Sequence, residues 1–408
     1  MERKLILNPT PNVFFLAIIF LTALDSIASI APFYLLARLF IYSILLYIIF
    51  NKKFITFFDS VGIALVPISL FIHFLMAPSS ISINLRPALN ILHPFILYLI
   101  FNNLDNKEEI FSKENSKLFL RISYLFIFLS LVLGKVTNLG NRIGSRGAID
   151  GLGGFFIGAN EIGIIMIIVI IYIYWLINQL SKMEAYTLLF IFSILGCLVF
   201  TKSSIIAALI AMGILITHSK AFRIFFILIF SLILLYYSTK IIKAYNFLKN
   251  NTFFSDAFTN IFAFIFRGRQ NYFSAFFLNL EITRLKIIEL IFIGFGSHTI
   301  TGQLTSNIWF FRDAPFKDLE MDFFDLFFSL GLLFTLYYFY YVTRFFITIY
   351  KNSNLKVGAL LFLILLHAFL AGHVFFSTQC INILILFYFF VRHNPQDKLG
   401  NPILKSAC

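Results

Sequence analysis

The chain has 408 residues, of which 60% are hydrophobic, 19% aromatic and 12% charged, with a formal net charge of +13. Soluble domains are about 45–50% apolar and about 25% charged, so at a mean hydropathy of +0.90 there is too little polar surface to coat a soluble globule. That excludes a soluble enzyme, a disordered chain and a secreted disulfide scaffold, and the length counts bilayer crossings instead of soluble domains.

A spanning helix needs about 20 mostly apolar residues. In chain order such runs fall near 13–31, 32–50, 54–76, 88–101, 118–134, 155–177, 185–200, 203–217, 222–239, 322–342, 357–372 and 374–391. The fold class expected is therefore all-α: a polytopic membrane protein with about 12 transmembrane helices and a long outer, periplasmic loop containing interfacial helices. Spans 1–9 occupy 1–239, the outer loop 240–321, spans 10–12 322–393, and a cytoplasmic tail 394–408. The basic start, Met1-Glu2-Arg3-Lys4, leads into an apolar stretch that continues past Pro32, which reads as an uncleaved first span. The cysteines Cys197, Cys380 and Cys408 set no disulfide framework, and no Cys/His cluster marks a metal site.

Lys and Arg in short loops set the orientation. With the N-terminus inside, the inner loops hold Lys52-Lys53, then Lys107, Lys113, Lys117 and Arg121, then Lys182, then Lys220 and Arg223, then Arg344, Lys351 and Lys356. The short outer loops hold only Arg86 and Lys202, so both termini are expected in the cytoplasm. Two outer segments depart from this pattern. Gly134–Leu152 carries Lys135, Arg142 and Arg146, and 240–321 carries Lys240, Lys243, Lys249, Arg267, Arg269, Arg284, Lys286, Arg312 and Lys317. Such charge is either a solvated surface touching lipid headgroups or a seat for an anionic, membrane-bound substrate. Within the long segment, Ser255-Asp256 reads as a helix start. Phe273, Phe276, Phe277, Leu280, Arg284 and Ile287 then recur at helical spacing over Gln270–Ile288, as in a helix lying in the interface plane.

Charges inside spans are costly and often functional. Asp25 and Arg38 flank the Ala31-Pro32 turn and read as a structural pair, and Asp59 reads as snorkelling. Glu161, after Asn160, is either a buried hydrogen-bonding group or a substrate contact. The glycines from Gly147 to Gly163 do not form a nucleotide loop; they allow close helix packing or backbone approach to a ligand. Glu320-Met321-Asp322-Phe323-Phe324-Asp325 opens the tenth span at its outer mouth. Asp322 or Asp325 could simply cap that helix, while Glu320, which precedes it, has the better claim to be a general base. His367 and His373 do not share a helix face and read as buried, hydrogen-bonded groups, whereas His298, in the outer loop, could face substrate.

Taken in order, these features resemble the bacterial O-antigen polymerase and O-antigen ligase superfamily. The resemblance runs from about Arg142 to Phe376. It begins with an outer-loop Arg142 or Arg146, Gly153-Gly154-Phe155-Phe156 and Asn160, followed by Thr201-Lys202-Ser203-Ser204 where the family often has T-x-S-R. Arg267 and Arg269 then precede Tyr272 and Gly294-Phe295-Gly296, and Arg142 with Gly153 fits the R-x10-G spacing of polymerase outer loops. Ligases place a His about eleven residues before the span glycine. Here Glu320 stands there ahead of Gly331, in an E-x-D arrangement more like polymerases, and Gly372-His373 is similar to the polymerase pattern too.

The resemblance implies a metal-independent glycosyltransferase of the bacterial inner membrane, without a cofactor, that joins repeat units on undecaprenyl pyrophosphate at the periplasmic face. It implies Glu320, supported by Asp322, as the deprotonating group. Arg142, Arg146, Asn160, Arg267, Arg269, Arg284 and His373 are the substrate-binding residues it points to. The partners implied are the lipid-linked oligosaccharide, membrane lipids and a chain-length regulator protein, with no nucleic acid. The alternatives are a ligase transferring glycan to lipid A core and a lipid-linked oligosaccharide flippase or other transporter.

Overall fold

The computed structural model describes residue 43 and residues 57–76, 81–104, 107–137, 142–143, 151–152, 159–199, 201–226, 269–278, 283–307, 319, 321–353, 355–372, 374 and 377–395, with side chains placed at most of them. The expected spans at 13–31 and 32–50, the pair Asp25 and Arg38, and most of 222–239 lie outside the described residues.

The first half contains α1 (Phe57–Met76), α2 (Ile81–Asn102), the single turn α3 (Lys107–Ile110) and α4 (Lys113–Val136). A two-rung antiparallel ladder follows, β1 (Arg142–Ile143) against β2 (Gly151–Leu152), and then α5 (Ala159–Leu176), α6 (Lys182–Val199) and α7 (Lys202–His218). The second half contains α8 (Arg269–Phe277), α9 (Arg284–Phe292), α10 (Gly296–Asn307), α11 (Asp322–Leu330), α12 (Leu332–Asn352), α13 (Leu355–Ala371) and α14 (Thr378–His393). Among the described residues the regular structure is helical apart from that small ladder. Hydroxyl side chains set several starts: Ser112, Thr201, Thr283 and Ser377 each accept a backbone N–H from the first turn of the helix they precede.

Three of these helices, α4, α6 and α12, are long and apolar enough to cross a membrane, and shorter apolar helices accompany them. Large apolar side chains stand exposed on the bundle, among them Phe71, Leu125, Leu198, Leu209, Leu336 and Phe362. Water disfavours so much apolar area, whereas lipid accepts it readily. The character is that of a membrane protein.

Two helices form the centre. Ile164–Leu176 of α5 and Cys380–Val391 of α14 are buried all round, as expected of helices enclosed by other helices. They pack on each other, with α2 and α12 also against α14, and with α4, α6, α7 and α13 also against α5. Polar groups tie this packing. Ser116 and Tyr172 share a hydroxyl bond of 2.7 Å, and His93 meets Asn382 at 2.7 Å. The Arg121 guanidinium donates to both Glu184 oxygens, at 2.6 and 3.1 Å.

Small residues let the helices close. A Cβ on Gly163 would collide with Ser203 and Ser204 of α7, so this end of the glycine run serves helix packing. The Thr201–Ser204 corner against it is a capping box: Ser204 N donates to Thr201 Oγ1 at 3.1 Å, and Thr201 N donates to Ser204 Oγ at 2.8 Å.

Two segments differ from the sequence expectation. The helix expected over Gln270–Ile288 is two helices, because the Thr283 hydroxyl caps α9 and restarts the chain there. The span expected at 322–342 breaks at Gly331, so the 21-residue α12 begins only at Leu332. Gly331 has φ +87°, and a Cβ there would stand 2.8 Å from Gly294 N and 2.9 Å from Ile293 N. Both the left-handed backbone and the approach of the other segment demand glycine. Gly331→Ala is therefore expected to cost about 1–3 kcal/mol, read as a lower unfolding temperature in detergent; an unchanged midpoint would mean that the two backbones are not held together.

Candidate functional site

Several segments far apart in sequence gather at one end of the two central helices. α5 opens there with Asn160 and Glu161, and α14 opens beside it with Ser377 at its N-cap. The Ser377 hydroxyl donates to Glu161 Oε1 and also accepts from Cys380 N at 3.2 Å. The chain reaches this point from α13 through Gly372, at φ 64°. Val374 N then donates to Asp322 Oδ2 at 2.8 Å. Asp322 and Glu161, on helices from opposite halves of the chain, thus both bond to the few residues that join α13 to α14.

The opening of α11 explains its run of carboxylates. Met321 occupies the N-cap and offers no side-chain acceptor. Asp325 supplies one from within the first turn: Leu319 N donates to its Oδ1 at 2.7 Å and Met321 N to its Oδ2 at 2.9 Å. Negative charge is also favoured at this end of the helix dipole. Asp325 is thus the capping carboxylate, and it fixes the amides of the residues on either side of position 320. Asp322, 2% exposed, is a buried acceptor that holds the turn at Val374.

The far end of α11 meets the G-x-G turn. Phe295 N donates to Phe328 O at 2.6 Å, and Ser297 Oγ donates to Ser329 Oγ at 3.2 Å. The Ile293 carbonyl is held from α1, by Ser69 Oγ at 3.1 Å and His73 Nε2 at 3.2 Å. His73 and His298 meet edge to face, their ring centroids 5.8 Å apart. The G-x-G turn is therefore the joint between α1, α9, α10 and the break at Gly331.

The remaining expected site residues are distributed as follows. Arg142 lies in β1 opposite Leu152, which adjoins the Gly153 of the R-x10-G spacing. Asn160 lies in the first turn of α5 beside Glu161, and Arg269 is the first residue of α8. Arg284 is exposed on the first turn of α9, a helix packed on α11 and α12. Glu320, Arg146, Arg267 and His373 lie outside the described residues. Ser377 escaped the sequence reading, although a Ser before the apolar run of α14 is an N-cap signal. His73 escaped it too, because nothing in a lone span histidine announces an acceptor 220 positions away.

Burial pushes the His298 imidazole below the ordinary histidine value, and the neighbouring His73 pushes it further the same way. The folded chain then binds this proton less tightly than the unfolded chain does. Stability should fall as the pH drops below about 6.5, and the loss should be complete below the folded value. His298→Asn is expected to flatten this acid-side loss in unfolding midpoints measured across that range; an identical slope would contradict the assignment. No protein-family model, no curated protein and no solved structure matches this chain.

Proposed function

We propose that this chain is a polytopic glycosyltransferase of a bacterial inner membrane that polymerises surface polysaccharide. The growing glycan on undecaprenyl pyrophosphate is the donor, and a hydroxyl of the next lipid-linked repeat unit is the acceptor. The observation that carries the reading is the meeting of Glu161 with Ser377 and of Asp322 with Val374. Three parts of the motif order that resembles the polymerases, scattered over the sequence, lie at one end of the bundle. Glu161 and Asp322 both tie the segment between α13 and α14, which carries the Gly372-His373 of that motif order.

The chemistry asks for a base at the acceptor hydroxyl and cations at the departing pyrophosphate. Glu320 is the base in this reading, and Asp322 positions the facing turn. Arg142, Arg146, Arg267 and Arg269 hold phosphate oxygens, which guanidinium groups pair bidentately while staying charged. Arg269→Lys keeps the charge and loses the fork. It should shorten the glycan chains made, and normal lengths would argue for ordinary surface charge. The direct test is to supply the purified chain in proteoliposomes with lipid-linked repeat units from its host. Products of two or more units on one lipid support the reading. Transfer to lipid A core instead indicates a ligase, and movement across the bilayer without bond formation indicates a flippase.

A further inference from the structure

The polarity of α9 is inverted for a helix in water. On one arc stand Leu285, Ile287, Ile288 and Phe292, of which Leu285 is 78% exposed, Ile288 55% and Phe292 58%. The opposite arc holds Lys286, Glu289 and Leu290, all partly buried, and Leu290 packs on the cluster around Phe276, Phe295 and Phe328. A helix on a soluble surface does the reverse, with its apolar stripe toward the core and its charges toward water. Here the two charges, i,i+3 neighbours of opposite sign, are on the protein side, and the large apolar side chains point away from it.

The height of this helix follows from its neighbour. α12 has 21 residues, about 31 Å of helix, and the hydrocarbon layer of a bilayer is about 30 Å thick. A helix of that length reaches from border to border, so Leu332, where α12 begins, stands at one border of the layer. The exposed apolar stripe of α12, Leu333, Leu336, Tyr340 and Ile347, starts at the same end. α9 packs on α12 and finishes against its start: Leu290 O and Ile293 N lie 3.0 and 2.9 Å from where a Cβ on Gly331 would stand.

We propose that α9 is a membrane anchor whose apolar arc beds in the acyl chains of the leaflet on the side of the candidate site. Phospholipid is the occupant because the arc begins where the lipid-facing stripe of α12 begins and carries no charge except Arg284 at its edge. Arg284, exposed in the first turn, reaches the headgroup phosphates while its neighbours stay in the hydrocarbon. Leu285, Ile288 and Phe292 are not members of the periodic set read over Gln270–Ile288, which the cap at Thr283 divides between two helices. The anchor fixes the height of the Gly294–Gly331 joint, and through α11 that of Asp322 and Asp325, relative to the headgroups. It does not rest on the polymerase reading.

The test uses the full chain in phosphatidylcholine nanodiscs. Cys197, Cys380 and Cys408 are replaced by Ser, and a nitroxide is attached in turn through Leu285→Cys, Ile288→Cys and Phe292→Cys. Leu336→Cys on α12 serves as the lipid reference and Lys351→Cys as the aqueous one. Paramagnetic resonance then compares collision with oxygen, which concentrates in lipid, and with a water-soluble nickel chelate. Oxygen is expected to dominate at 285, 288 and 292 as it does at 336, placing these positions about 5–10 Å below the headgroups. Dominance of the chelate at 288 and 292 would mean that the arc meets water, and would overturn the anchor. Access by neither reagent would mean that protein covers the arc, from a second copy or another chain, and would overturn it equally. Where the cysteine-free chain does not fold, a benzophenone side chain at position 292 of the native chain replaces the nitroxide. Photo-crosslinking to phosphatidylcholine is then expected, and crosslinks to protein alone, or none, contradict the anchor.

Discussion

Glu320→Gln is expected to yield a chain that inserts and folds normally but no longer extends the glycan. A positioned general base is worth about 10²–10⁴ in rate, enough to reduce long polymer to single repeat units on a gel. The substitution is nearly isosteric, so folding should survive. The flanking amides of Leu319 and Met321 bond to Asp325. The check is glycan sizing in a host whose own copy is replaced by the variant, with the protein quantified in the membrane. Polymer of wild-type length and amount would remove Glu320 from the role of base.

Asp322 should behave differently, because its task is to hold a turn. Asp322→Ala leaves the buried Val374 N–H without its acceptor, which costs about 1–3 kcal/mol, and frees the turn after α13. A lower unfolding temperature and loss of polymer are expected together. Asp322→Asn retains a carbonyl oxygen at the same place and should recover most of the stability and a substantial part of the activity. An alanine variant as stable as the parent would contradict the tie. An asparagine variant that is fully stable yet inactive would mean that the carboxylate charge itself takes part.

The helices were legible where an apolar run marks them. The apolar run at 203–217 coincides with α7 because the run fills the helix, whose cap at Thr201 appears only in the structure. Gly331 was not legible as a break, since a lone glycine in an apolar run reads as part of the span. Its meaning lies in Gly294, a residue of another segment pressed against it. The candidate site divides in the same way. Glu161 was recognisable as a charge in an apolar helix, but its partner Ser377 is 216 positions away and only packing joins them. Asp322 and Asp325 looked alike in sequence, and their separate jobs follow from which backbone amides each can reach. The Thr201–Ser204 corner, whose spacing resembles a family motif, works locally as a capping box.

Chain extension is tested most directly by deleting the gene in its host and separating the surface glycan by size. A single repeat unit still attached to its anchor is predicted, because flipping and ligation continue while polymerisation is lost. Complete absence of surface glycan, with lipid-linked material accumulating, would contradict chain extension and point to a flippase or a ligase, according to the side of the membrane on which that material gathers.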